Sequence, residues 1–208
     1  MDRSMVKGLP ARTRTMAIAT IMTVSTVSLI IGPVPARSAE QERGPASTHE
    51  LLMKAHDQLD IALHYAELAV APHQPGKGWH RAHVQRAINI VVGVGSPDFD
   101  KEVENPGDGH GVIKYLQEAH DAMKGCTPVN TCDAIESSLE YLRAAIEHGK
   151  KSIELGRMAG MMLQQARMFG ALLRAAHGTR ETESPTVGAM TYAIRVTEHM
   201  PEHKKASE

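Results

Sequence analysis

Aromatic side chains are scarce in this chain, with one Trp, two Phe and four Tyr among 208 residues. That leaves little with which to stack bases or sugars. Cysteine is nearly absent as well, with Cys126 and Cys132 alone. A thiolate zinc site would need more thiols or nearby histidines, and none lies between these two. No Cys-x-x-Cys-His occurs, which argues against covalent haem. Positive charge is not in excess, since 23 Lys and Arg face 24 Asp and Glu. Nucleic acid is therefore disfavoured as a partner, because phosphate binding needs a basic footprint. No nucleophile elbow, phosphate loop, dinucleotide fingerprint or His-Glu-x-x-His appears, so no enzymatic activity is expected.

What charge there is lies unevenly. Residues 1–38 hold Arg3, Lys7, Arg12, Arg14 and Arg37 against Asp2. Removing them leaves 18 basic and 23 acidic side chains, a net charge of −5 that favours cations. The same segment reads as a secretory signal peptide: a basic leader, an uncharged run from Met16 to Ile31, and small residues for cleavage at Val34-Pro35-Ala36 or Ala36-Arg37-Ser38. The uncharged run is short and rich in Thr and Ser for a membrane span. The expected location is the periplasm or the exterior, with no membrane span after signal removal. In such an oxidising compartment Cys126 and Cys132 are expected to form a local disulfide. Closing that loop would contribute roughly 2.4 kcal/mol on the chain-entropy model.

What the chain has instead is helical periodicity. His49 to Val70 places Leu52, Ala55, Leu59, Ala62, Leu63, Ala66 and Val70 on one face. Beside it runs a stripe of His49, His56, Asp60, His64 and Glu67. Neighbours three or four apart have Cβ atoms roughly 5–6 Å apart, so imidazole and carboxylate stand in register, as a divalent transition metal requires. His56 and His64 are two turns apart, about 12 Å along the axis. Each must therefore pair with Asp60 or with a histidine from another helix. A solvated polar flank is the alternative reading of the stripe. Residues 39–47 read as a flexible lead-in, with Ser47 or Thr48 as the cap, and the helix is expected to stop at Ala71 before Pro72.

A turn over His73 to Gly78 leads to a second helix, Trp79 to about Val94. There His80 and His83 at i, i+3 can chelate one ion, or His80 can be a core histidine bonded to backbone or carboxylate. Residues 95–111 form an acidic irregular segment with Asp98, Asp100, Glu102, Glu104 and Asp108. Counted as a calcium loop from Asp98, Val103 stands where Gly is needed and Gly109 where a bidentate Glu is needed, so a connector is expected. The third helix, Val112 to Lys124, carries His120, with His110 just before it. From near Asp133 an unbroken heptad seam runs through Ile135, Leu139, Leu142, Ile146, Gly149, Ile153, Gly156, Gly160 and Leu163. It forms one helix of unusual length or two with a bend near Gly156–Gly160, and the bend is expected. Met158, Met161, Met162 and Met168 follow. Thioether sulfur suits Cu(I), but such a group usually fills a core, and that is the expectation here. A linker over 179–186, a short helix from Val187 to Glu198 and a polar tail complete the chain.

The segments HDQLDIALHYAELAV, HGVIKYLQEAHDAMKG and SSLEYLRAAIEHGKKS are alanine-containing helices with recurring histidine. In this the chain resembles the small metal-binding proteins, exported His-rich antiparallel helical bundles that bind copper and other divalent metals. The likeness covers roughly residues 49–150 and is one of composition. The chain departs from that pattern in having fewer histidines, the acidic segment and the Met-containing extension after residue 155.

The expected fold is all-α, an antiparallel four-helix bundle over 48–178 with a C-terminal helical extension. The expected function is sequestering or buffering of a divalent transition metal, Cu or Ni before Zn. Its candidate ligands are His49, His56, Asp60, His64, His80, His83, His110 and His120. The alternatives are a helical interaction or stress-response protein without a dedicated metal site, and an electron carrier holding non-covalent haem between a histidine and Met53 or Met123.

Overall fold

The structure, a computed structural model, describes residues 46–72, 78–123, 129–156, 158–178 and 189–198. All lie within one compact unit, Glu42–Glu208. The expected leader over 1–38, the lead-in as far as 45, the turn residues 73–77, Cys126, the linker 179–186 and the tail from 199 lie outside the described residues. The described residues are all-α: α1 Thr48–Ala69, α2 Trp79–Val92, α3 Val112–Ala122, α4 Val129–Glu154, α5 Ala159–His177 and α6 Ala189–Glu198. No strand occurs among them, and none of these helices is long and apolar enough to cross a membrane.

Helix α1 starts where its residues dictate. Ser47 Oγ accepts from the Glu50 amide at 3.2 Å and Glu50 Oε2 accepts from the Ser47 amide at 3.0 Å, a complete capping box. It ends at Ala69, two residues before the expected stop, and the Ala69 carbonyl accepts a bond from the His80 ring at 3.0 Å. Leu52, Ala55, Leu59 and Ala62 are fully buried, as the apolar stripe predicts. Helices α1 and α4 each pack against α2, α3, α5 and α6.

The heptad seam holds only in part. Ile135, Leu139, Leu142, Ile146 and Gly149 face the core, but Gly156 and Gly160 are exposed. The chain leaves α4 after Glu154 and resumes at Ala159, so the expected bend is a break between two helices. Helix α5 then buries a new face through Ala166, Phe169, Gly170, Leu173 and Ala176. Gly149 is small for a reason: a Cβ there would lie 3.1 Å from Ile88 and 3.2 Å from Phe169. Helices α2 and α5 thus both close on α4. The short α6 is no loose appendage, for Met190 and Ala193 are fully buried in the shared core.

The acidic segment between α2 and α3 is organised by Asn89, a fully buried residue of α2. Its amide nitrogen donates to the carbonyls of Asp100 at 2.9 Å and Val103 at 3.0 Å, and its Oδ1 accepts from the Asp100 amide at 2.9 Å. The carboxylates disperse: Asp98 to Lys150 at 3.0 Å, Glu104 to Arg86 at 3.3 Å, Asp108 to the Tyr115 hydroxyl at 2.6 Å. Among the described residues they join no group of three potential ligands. Asn89→Ala should leave three part-buried backbone groups without their side-chain partner and destabilise by about 1–3 kcal/mol. A urea melt checks this, and a loss under about 0.5 kcal/mol, the range of an ordinary surface substitution, would refute the anchoring role.

Candidate metal centre

Two helices that are distant in sequence meet at one polar point. Helix α1 presents His56 and Asp60 one turn apart, and the last residue of α5, His177, comes over them. Arg174 to Glu67 at 3.2 Å and the approach of Gly170 to Ala66 pack the same two helices together. His177 Nε2 lies 2.9 Å from Asp60 Oδ1, and His56 Nδ1 lies 3.6 Å from Asp60 Oδ2. The two imidazole centroids are 4.1 Å apart with planes 37° from parallel. One ligand atom from each residue falls within 4.8 Å of the others. Nitrogen and oxygen ligands about 2.0–2.1 Å from one ion stand roughly 2.9 Å apart at a right angle and 3.3 Å apart tetrahedrally, so the His177–Asp60 separation suits a shared ion and His56 would close in by a small side-chain rotation.

The protonation of His177 sharpens the point. Its Nδ1 is 2.7 Å from the carbonyl of Gly178, which a ring N–H can satisfy only by donating. The neutral ring then carries its lone pair on Nε2. That atom is buried and makes no aligned hydrogen bond, although Asp60 Oδ1 is 2.9 Å away. The carboxylate oxygen thus lies beside a buried ring nitrogen to which it is not hydrogen-bonded, a contact that a cation held by both residues would relieve. A proton can fill that role, and so can a metal. A backbone carbonyl fixing the far nitrogen is the usual support behind a metal-bound imidazole. Gly178 provides it by ending α5 with φ +84°.

The site is partly open. The Asp60 side chain is 58% exposed, against 24% for His56 and 17% for His177, so an ion can enter at the carboxylate edge without unfolding. Burial lowers the pKa of His56, and the neighbouring His177 adds to this while Asp60 and Asp57 oppose it. The ring therefore stays neutral and able to coordinate to lower pH than an ordinary imidazole.

Of the eight candidate ligands, the structure unites His56 and Asp60 and disperses the rest. His49 Nδ1 bonds Thr197 Oγ1 at 3.1 Å, tying α1 to α6. His64 is exposed. His80 is a buried structural residue, its two ring nitrogens 3.0 Å from the Ala69 carbonyl and 3.3 Å from Ser152 Oγ. His83 is buried between Tyr65 and Trp79, with ring centroids at 5.5 and 4.0 Å. His110 pairs with Glu118 at 3.0 Å and His120 with Glu136 at 3.3 Å. The ligand that the sequence reading passed over is His177. Its signal was modest: a histidine closing a helix directly before Gly, beside the apolar run of α5.

His83 makes the fold sensitive to acid. Burial lowers its pKa, with Arg86 and His64 acting in the same direction. The unfolded chain, with the ordinary value of 6.5, then binds the proton more readily. The stability from neutral His83 is complete above 6.5 and is lost as pH falls from there through the folded-state value. The metal-free protein should melt at progressively lower temperature between pH 7 and pH 5, and His83→Gln should flatten that slope. An unchanged slope in the variant would rule out His83 as the source.

Compared with known proteins, the chain matches no family model, no curated protein and no solved structure.

Proposed function

We propose that the protein binds an exchangeable divalent transition metal at His56, Asp60 and His177, and that it sequesters or buffers that metal outside the cytoplasm. The observation that carries this reading is the convergence of His56, Asp60 and His177, with the His177 Nε2 buried, not hydrogen-bonded and 2.9 Å from Asp60 Oδ1. The donor set of two imidazoles and one carboxylate ranks Cu(II) above Ni(II) and Zn(II). Three protein ligands leave at least one position for water or an acceptor molecule, which suits buffering. The leader-like pattern of residues 1–38 supports export, and with it a Cys126–Cys132 disulfide. Thiol labelling of the folded, exported protein should then find no reactive cysteine, and two per chain would refute that bond. The same reading takes the architecture as an antiparallel four-helix bundle with a C-terminal extension. On α1 and α5 the pairs Asp60–His177 and Glu67–Arg174 run in opposite order along the two helices.

Titration of the purified full chain with Cu(II) against a competing chelator tests the function. About one tightly held equivalent, with weaker Ni(II) and Zn(II) binding in the same assay, is the expected result. No Cu(II) binding at micromolar concentrations would overturn it and leave a helical interaction protein as the better reading.

A further inference from the structure

Methionines expected in the core lie outside it. Met158 is 54% exposed, Met161 49% and Met168 43%, and Met162 is half-buried. An exposed thioether gains little from the hydrophobic effect, so core filling does not account for this group.

Three of the four stand around a single turn. The Met162 amide donates to the Met158 carbonyl at 2.9 Å, so these residues are one helical turn apart, with Met161 between them at i+3 from Met158. Met158 is the N-cap of α5 and Met161 and Met162 lie in its first turn, so the three side chains leave the same end of the helix. Each methionine has three rotatable bonds beyond Cα with which to bring sulfur inward. The surroundings leave room. A Cβ added at Gly160 would meet nothing within 4 Å. A recess of about 400 Å³, lined by Ile153, Glu154, Leu155, Gly156 and Met158, opens at the break between α4 and α5. The harder ligand at its edge, Glu154, is held by Lys151 at 3.1 Å.

We propose that Met158, Met161 and Met162 form a second metal site, selective for Cu(I). Neutral thioethers bind this soft monovalent ion and hold divalent cations weakly. Binding takes Cu(I) as supplied, without any change of oxidation state. The site shares no residue with His56, Asp60 and His177, so it stands whether or not those residues bind metal.

The test is anaerobic competition for Cu(I) between the full chain and bicinchoninate. The wild-type chain should withdraw Cu(I), and its affinity should be the same at pH 5.5 and 7, since thioethers do not protonate there. The variant carrying Met158→Leu, Met161→Leu and Met162→Leu keeps side-chain size and helix propensity. It should bind at least tenfold more weakly at unchanged helicity, whereas Met168→Leu and the His56→Ala, His177→Ala double variant should retain wild-type Cu(I) affinity. X-ray absorption of the Cu(I) form should show sulfur neighbours that the triple variant lacks. Equal affinity in the triple variant, loss in the histidine double variant, or a fall of affinity with pH would each overturn the proposal.

Discussion

His177→Ala should lower Cu(II) affinity at least tenfold, about 1.4 kcal/mol, and His56→Ala should do the same. His64→Ala should leave it unchanged, although His64 stands on the same stripe of α1, because no partner from α5 reaches it. Asp60→Asn gives a more discriminating result. The amide keeps the shape of the carboxylate but removes the anionic oxygen 2.9 Å from His177 Nε2. With the Asp60 side chain 58% exposed, the metal-free variant should stay within about 0.5 kcal/mol of wild type, while its Cu(II) affinity falls. A merely structural Asp60 predicts the opposite, a loss of stability with no change in metal binding. Unaltered Cu(II) affinity in both His177→Ala and His56→Ala would refute the site.

The contrast between His64 and His177 shows what one chain's pattern can reveal. Periodicity ordered the side chains around α1 correctly, so His56 and Asp60 could be named from spacing alone. Which other helix covers them depends on how α5 docks, and that is fixed by Phe169, Leu173 and Ala176 entering the core. Nothing local to α1 encodes it. The helix termini were legible where they depend on neighbouring residues, as in the Ser47 and Glu50 cap, and the ends of α1 and α2 missed by two residues where tertiary contacts at Ala69 and Gly93 trim the last turn. The seam through Gly156 and Gly160 misled for a related reason. Its spacing continues past a break that only the backbone reveals, and beyond the break α5 is rotated to bury a different face. The methionines were assigned to a core on composition, and the same break carries them outward. Asn89 gave no signal at all. A lone Asn among Ile and Val reads as a helix blemish until the segment wrapped around it is seen.

Gly93→Ala should destabilise the fold by about 3 kcal/mol, far more than its exchange of one hydrogen for a methyl suggests. Gly93 ends α2 with φ +74° and ψ 167°, where an L side chain is already strained by about 1–3 kcal/mol. A Cβ there would also lie 2.2 Å from the His110 carbonyl oxygen and 2.6 Å from its carbon. These are backbone atoms and cannot rotate aside. The opposing chain has its own glycine, Gly111 at φ +99°, whose Cβ would sit 2.7 Å from the Gly93 nitrogen. The two ends of the acidic segment thus cross backbone to backbone, and the Val94 amide bonds the Gly109 carbonyl at 2.8 Å beside the crossing. Inserting a methyl must push the segment off Asn89 or shift the start of α3. Gly95 separates the two contributions. It has φ +94° but nothing within 4 Å of an added Cβ, so Gly95→Ala should lose only the backbone strain of about 1–2 kcal/mol. Urea melts of the two variants measure the difference, and equal losses would show that the crossing can open without penalty. Below its melting temperature Gly93→Ala should still bind Cu(II) with wild-type affinity, because the α1–α5 site shares none of these contacts.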